Sequence, residues 1–359
     1  MEQEALGEVL GPLRKSQRTA IALVVEAISA FGQASSLAIA ARLAQRTGAG
    51  VPSALVRFYR LLHNRRVEDL LLSRQMIRTV LISIDWTEWH PPLRMLLASV
   101  VTGTRAVPVY AATFIKTAIV RSQNCWENTF LKMLVMVLEE ARVAACFLAD
   151  RGFRRVSFVK LLLEQSSHTF VVRLADKVLV EDEGSRRLLR NIGLGWVKLR
   201  QDAFVTVRVI GVWAKGRREP WWLATNRTDS LGSLASLYDR RMTIEEQIRD
   251  TKGARFGFAL VWSQITTPKA LSRFVLLIGL ALMILTALGH SLAQKYPNVR
   301  LPSKTKGPRL SLLTVGLLFW PALHNKIVIT PRFLKNHIPP PSLRTFKWLN
   351  PYDEKYKKC

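Results

Sequence analysis

Val143-Ala144-Ala145-Cys146-Phe147-Leu148-Ala149 runs without a charge into Asp150, and its texture decides the fold class. A run apolar at every position suits a strand covered on both faces, in a mixed or parallel sheet with helices on each side. Leu81-Ile82-Ser83-Ile84-Asp85 has the same form, a short apolar run closed by a carboxylate. Between the two, Met95 to Thr102 and Ala106 to Thr113 flank Gly103-Thr104-Arg105 as the arms of a hairpin. Asn124 can cap a helix whose apolar positions Trp126, Phe130, Met133, Leu134, Val137 and Leu138 keep the helical period. Beyond Asp150, Ser157 to Glu164 predicts a short helix and Thr169 to Leu174 a further strand. Lys177 to Asn226 mixes strand-like runs (Ala203 to Trp213, Trp221 to Ala224) with glycines and charges, which predicts a β-rich insertion before helix resumes near Leu231. The class is α/β.

The chain has 359 residues, more than one core usually absorbs, and its 49% hydrophobic content excludes global disorder. Lys and Arg number 53 against 26 Asp and Glu, a formal charge of +27 that favours a polyanionic partner, nucleic acid or an anionic membrane face. Cys125, Cys146 and Cys359 form no even framework and no metal-binding spacing, which fits a reducing compartment. Met1 to Gly11 carries three glutamates and no apolar stretch, so no secretory signal is expected. Phe274 to Gln294 has no charge and is long enough for a membrane span, but it is the only such segment; a buried core helix is the expectation.

Residues 12 to 76 read as helices. Ser35-Ser36 caps Leu37 to Gln45, Gly48-Ala49-Gly50-Val51-Pro52 makes a turn, and Ser53 caps a second helix through Leu62. Helix, Gly-bearing turn, helix is a DNA-binding geometry and also a common way to pack two helices. The second helix places Arg57 and Arg60 on one side and Leu55, Phe58 and Leu62 toward another, with Asn64-Arg65-Arg66 after it.

Carboxylates at the ends of adjacent buried strands converge where hard oxygen ligands hold magnesium, and two such ions can clamp the attacking and leaving oxygens of a phosphoryl transfer. Asp85 and Asp150 are such a pair, and a third carboxylate is then expected. In Leu234 to Lys252, read as one helix, Tyr238, Arg241, Glu245 and Lys252 fall within an arc of roughly 60°. Leu237, Ile244 and Ile248 form an apolar stripe beside it, while Glu246 and Asp250 point elsewhere. This makes Glu245 the third ligand, with Arg241 and Lys252 placed for phosphates and Tyr238 as a further donor. A surface helix braced by pairs such as Arg241–Glu245 is the alternative.

Tyr238-x-x-Arg241-x-x-x-Glu245 followed by Lys252 resembles the tyrosine-arginine-glutamate-lysine signature of bacterial insertion-sequence transposases, family four. Ile84-Asp85-Trp86-Thr87 and Leu148-Ala149-Asp150-Arg151-Gly152-Phe153 resemble that family's two aspartate motifs, in the same order. The resemblance implies a ribonuclease H-like core whose catalytic triad Asp85, Asp150 and Glu245 binds two Mg2+ ions, a β-rich insertion, and a helical N-terminal DNA-binding domain. It divides the chain into a helical domain (1–76), the first part of the core (77–176), the insertion (177–229), the second part of the core (230–295) and a basic C-terminal region (296–359). Tyr238, Arg241, Lys252, Arg57 and Arg60 would contact DNA, and Trp221 matches a tryptophan that stacks on a base flipped out near the cleaved end. Trp221 as a core residue is the rival reading. The implied partners are double-stranded DNA with terminal inverted repeats and target DNA, handled by a dimer in a paired-end complex in the bacterial cytoplasm, associated with the nucleoid, with no membrane. A structure-specific metal-dependent nuclease and a catalytically inactive DNA-binding derivative remain as alternatives.

Overall fold

The computed structural model describes residues 13–64, 79–89, 92–103, 105–116, 123–164, 167–192, 194–200, 204–214, 219–253, 258–300, 310–323, 331–339 and 348–349. Arg65, Arg66, Thr104, most of the basic C-terminal region and the acidic start of the chain lie outside them. The elements are α1 (Lys15–Phe31), α2 (Ser36–Thr47), α3 (Val51–Leu62), β1 (Thr79–Glu88), β2 (Leu93–Thr102), β3 (Arg105–Ile115), α4 (Gln123–Glu140), β4 (Ala144–Ala149), α5 (Val156–Leu163) and β5 (Thr169–Leu174). There follow β6 (Leu179–Asp182), β7 (Ser185–Leu188), β8 (Leu194–Arg200), β9 (Phe204–Ala214), β10 (Trp221–Thr225), α6 (Leu231–Asp239), α7 (Met242–Lys252), α8 (Pro268–Lys295), α9 (Leu312–Leu323), α10 (Pro331–His337) and β11 (Trp348–Leu349). The architecture is mixed α/β with helices at its N-terminal end. Helix α3 begins at Val51 rather than Ser53, because Pro52 fits the first turn, where its missing N–H costs nothing.

The chain divides into two compact units. The first takes in Met1–Met76, Trp86–Ile119 and Glu245–Pro341. Its core gathers α1, α2 and α3 with the β2–β3 hairpin around α8, whose residues from Ala270 to Leu288 are almost all buried. Among the described residues α8 is the one helix long and apolar enough to cross a membrane, and 94% of its most apolar stretch is covered by the protein. The charge and hydroxyl it buries have partners: Arg273 donates to the Leu62 carbonyl at the end of α3 (2.7 Å), and Ser272 Oγ accepts from the Thr113 N–H of β3 (2.9 Å). Phe58 meets Phe274 edge to face at 5.4 Å, while Arg57 and Arg60 stay exposed on α3.

The second unit takes in Ile77–Asp85, Val120–Ile244 and Ser342–Cys359. Its strands run in the order β1-β4-β5-β10-β9-β8-β6-β7. β4 pairs in parallel with β1 and β5, and every later pairing on that path is antiparallel. Residues 145 to 149 of β4 and 170 to 172 of β5 are buried without interruption, the covering that their unbroken apolar runs imply. Glu127 of α4, 1% exposed, pairs with Arg155 just before α5, which removes the cost of a lone buried carboxylate.

Gly279 of α8 shows how closely the first unit is packed. A Cβ there would lie 2.6 Å from the Pro108 carbonyl of β3, so only glycine lets helix and strand backbones meet. Gly279→Ala is expected to destabilise the protein by about 1–3 kcal/mol, read from the midpoint of denaturant unfolding at unchanged slope.

Candidate active site

The apolar runs of β1 and β4 pair in parallel with Ile84 opposite Ala149. The residue after each is therefore Asp85 or Asp150, at neighbouring positions; Asp150 follows the end of β4, whereas Asp85 lies inside β1, which runs on to Glu88, so the strand end expected at Asp85 is corrected. Asp150 caps the short helical turn Arg151–Phe153 by accepting from the Gly152 N–H at 2.8 Å. A Cβ on Gly152 would stand 2.9 Å from Asp150 Oδ1, so the glycine of this motif is what leaves the carboxylate its place.

The segment read above as one helix is broken. α6 ends at Asp239 and α7 begins at Met242. Across the break, Arg240 and Arg241 donate to the carbonyls of Leu237 and Tyr238, three residues back, and Thr243 Oγ1 donates to the Arg240 carbonyl at 2.8 Å. Asp239, Arg240 and Arg241 are all buried there. The single helix read from Leu234 to Lys252 is thus corrected to two, α6 carrying Tyr238 and α7 carrying Glu245 and Lys252, which lie two turns apart on one face. The break brings Arg241 Nη1 to 3.2 Å from Asp85 Oδ2, with the two side chains 10% and 17% exposed.

Tyr238 lies beneath this pair, 2% exposed, its ring edge-on to Trp221 at 4.9 Å. Burial pushes its phenol up to about 12, against the pull of Arg241 and Arg173, while Asp150 pushes it the same way as burial. Asp85, Asp150, Arg241 and Tyr238 therefore form one electrostatic group. Arg173 belongs to it and sequence reasoning missed it, although a lone cation inside the apolar run Thr169–Leu174 was a visible signal. Glu219 neutralises Arg173 at 2.5 Å. Trp221 and Trp222 are 5% and 4% exposed, so a base could stack on Trp221 only after the Tyr238 contact opened.

Glu245 and Lys252 fall in the first unit, where Glu245 is exposed on α7. Lys252 Nζ donates to the Glu88 carbonyl and stands over the Trp89 ring at 5.2 Å. Burial holds its ammonium below the ordinary lysine value, with Glu88 pulling the other way. Glu246 and Asp250 both turn to Arg105, at 3.8 and 2.7 Å. Among the described residues, no three His, Cys, Asp or Glu side chains gather closely enough to hold a metal ion.

No family model and no curated protein match the chain. Among solved structures, Marinitoga piezophila Argonaute in complex with 5′ OH guide RNA and target DNA is similar at 11% identity and a TM-score of 0.20, over 63% of this chain and 34% of that one. The present chain spans about a third of that protein's length, and a likeness at this score bears on neither its fold nor its activity.

The phenol of Tyr238 gives a pH prediction. A group whose folded value lies above its unfolded value stabilises fully below the unfolded one, near 10, and its contribution is lost as pH rises toward 12. Wild type is expected to lose about 2–3 kcal/mol more than Tyr238→Phe between pH 9.5 and 12 by chemical denaturation. Parallel pH profiles for the two proteins would contradict the buried environment assigned to this ring.

Proposed function

We propose that this chain is a DNA transposase of the insertion-sequence kind with a ribonuclease H-like core. It hydrolyses a phosphodiester at each end of its element and joins the freed 3′ hydroxyl to target DNA. One observation carries the reading: Asp85 and Asp150 stand at neighbouring positions on the parallel-paired β1 and β4, with the Arg241 of the signature paired to Asp85 and its Tyr238 in the same electrostatic group.

Magnesium suits this donor set, because the carboxylates of Asp85 and Asp150 on neighbouring strands are hard oxygen ligands and no thiolate or imidazole is in the set. Asp85 and Asp150 would hold the ions, with Glu245 the third donor from α7. Bound magnesium would neutralise charge on the phosphoryl oxygens and lower the pKa of an attacking water. Arg241 is the cation already at Asp85, and it is the group that would take a DNA phosphate when the ion pair opens. Tyr238, close enough to hydrogen-bond Arg241, holds that guanidinium from the buried side. Arg57 and Arg60 on α3 would grip duplex DNA, and the excess of 53 basic over 26 acidic residues serves the inverted repeats and the target. The working form is a dimer on paired ends, at the nucleoid of a bacterial cytoplasm.

A catalytically inactive DNA-binding derivative is the second reading. It is favoured by the Arg241–Asp85 ion pair together with the lack of a three-carboxylate group among the described residues.

The test is purified protein with magnesium and DNA fragments bearing the flanking inverted repeats. Wild type is expected to nick at the repeat boundary and to join the ends to plasmid. Asp85→Asn, Asp150→Asn and Glu245→Gln should each lose at least the roughly 10–100-fold that even outer-shell changes cost metal sites. Cutting without joining would indicate a nuclease, and repeat binding without any cutting would indicate the inactive derivative. Glu245→Gln nicking at the wild-type rate would overturn the triad.

A further inference from the structure

In the strands that follow β5, one face of the sheet is packed and the other carries an exposed aromatic among cations. Val180 of β6, Val197 and Leu199 of β8 and Val205 and Val207 of β9 are buried on the inner side. The intervening residues turn outward: Trp196 is 54% exposed and Leu194 55% on β8, with Leu179 56% exposed on β6. Register puts Arg208 of β9 directly opposite Trp196, Glu181 of β6 opposite Lys198, and Arg186 of β7 opposite Glu181. Among the described residues of these strands, the outer face therefore carries Trp196 with Arg186, Lys198 and Arg208 and the carboxylate of Glu181, while the Asp229 carboxylate lies close enough to feel the charge of Arg208.

The anchoring of these cations matters. Arg208 Nη1 donates to the Asp229 carbonyl at 2.7 Å, so its charge is fixed beside the strand carrying the indole. Lys198 meets Glu181 at 3.3 Å, but both are accessible enough for a phosphate to compete for the ammonium. Arg186 is exposed. A second copy of the chain meeting this face across a two-fold axis would set like charges against like, where complementary charge is what an interface needs. Duplex DNA offers phosphates but hides the faces of its bases. A single strand offers both, and every base has a face on which an indole can stack.

We propose that this face binds single-stranded DNA, with a base stacked on Trp196 and the backbone phosphates held by Arg186 and Lys198. It goes beyond the end-cleavage chemistry proposed above and shares with it only the premise that the chain handles DNA. Its test can therefore be run in EDTA, where cleavage plays no part.

Fluorescence anisotropy with a labelled oligothymidine of about 20 nucleotides is expected to show salt-dependent binding by the full chain. Trp196→Ala should weaken it roughly 5- to 100-fold, Trp196→Phe less, with affinity for blunt duplex unchanged. Lys198→Gln should flatten the dependence on salt. The melting temperature of each variant reports whether the fold survives, and an exposed indole should cost it little. Independently of any variant, photocrosslinking of wild type to 5-iododeoxyuridine DNA should place the adduct on Trp196. The proposal is overturned if wild type does not bind the single strand, or if folded Trp196→Ala binds it like wild type. It is equally overturned if Trp196→Ala loses as much affinity for an abasic strand as for oligothymidine, if the adduct maps outside β8, or if Trp196→Ala instead turns a dimer into a monomer on gel filtration.

Discussion

Two carboxylates at neighbouring positions of adjacent strands repel one another unless a cation answers them. The parallel register of β1 and β4 makes that juxtaposition unavoidable, since Ile84 opposite Ala149 commits the next residues, Asp85 within β1 and Asp150 just after β4, to neighbouring positions. The local structure around them follows from meeting this demand. Arg241 supplies the charge at Asp85, Tyr238 and Trp221 wall the group off from below, and the Gly152 N–H satisfies Asp150.

The break between α6 and α7 is the structural consequence. A continuous helix would turn Arg241 by its place in the 3.6-residue period, whereas the tight turn through Arg240 and Arg241 lets the guanidinium reach Asp85. The carbonyls at the break accept from the backbone three residues on and from hydroxyls as well: Thr243 Oγ1 donates to that of Arg240, and Ser83 of β1 to that of Arg241 at 3.4 Å. The same strand that presents Asp85 thus holds in place the backbone of the residue that neutralises it.

The tryptophans of the β-rich segment follow from the covering of the sheet. β10 lies between β5 and β9, and Trp221 and Trp222 disappear into the core on either side of it. β8 is covered on one face only, so its alternate residues divide into buried valine and leucine and an outward Trp196. Exposure of an indole here depends on which strands have layers on both sides. No local pattern around Pro220-Trp221-Trp222 reports that.

Elements whose signal is local were legible without coordinates. The apolar strands β1, β4 and β5, the hairpin β2–β3, the restart of helix at Leu231 and the burial of α8 are written in runs and periods a few residues long. Of the two aspartates, Asp150 was legible as the residue that closes its strand, whereas β1 runs past Asp85 to Glu88, which the close of the apolar run at Asp85 does not report. What only the tertiary structure decided were events set by distant partners. The interruption at Arg240–Arg241, the capture of Lys252 by Glu88 and Trp89, the entry of Arg173 into the group and the burial of Trp221 each arise from contacts between segments far apart in the chain. Periodicity records which residues share a face, but the layer that comes to cover that face is chosen by the packing of the whole unit.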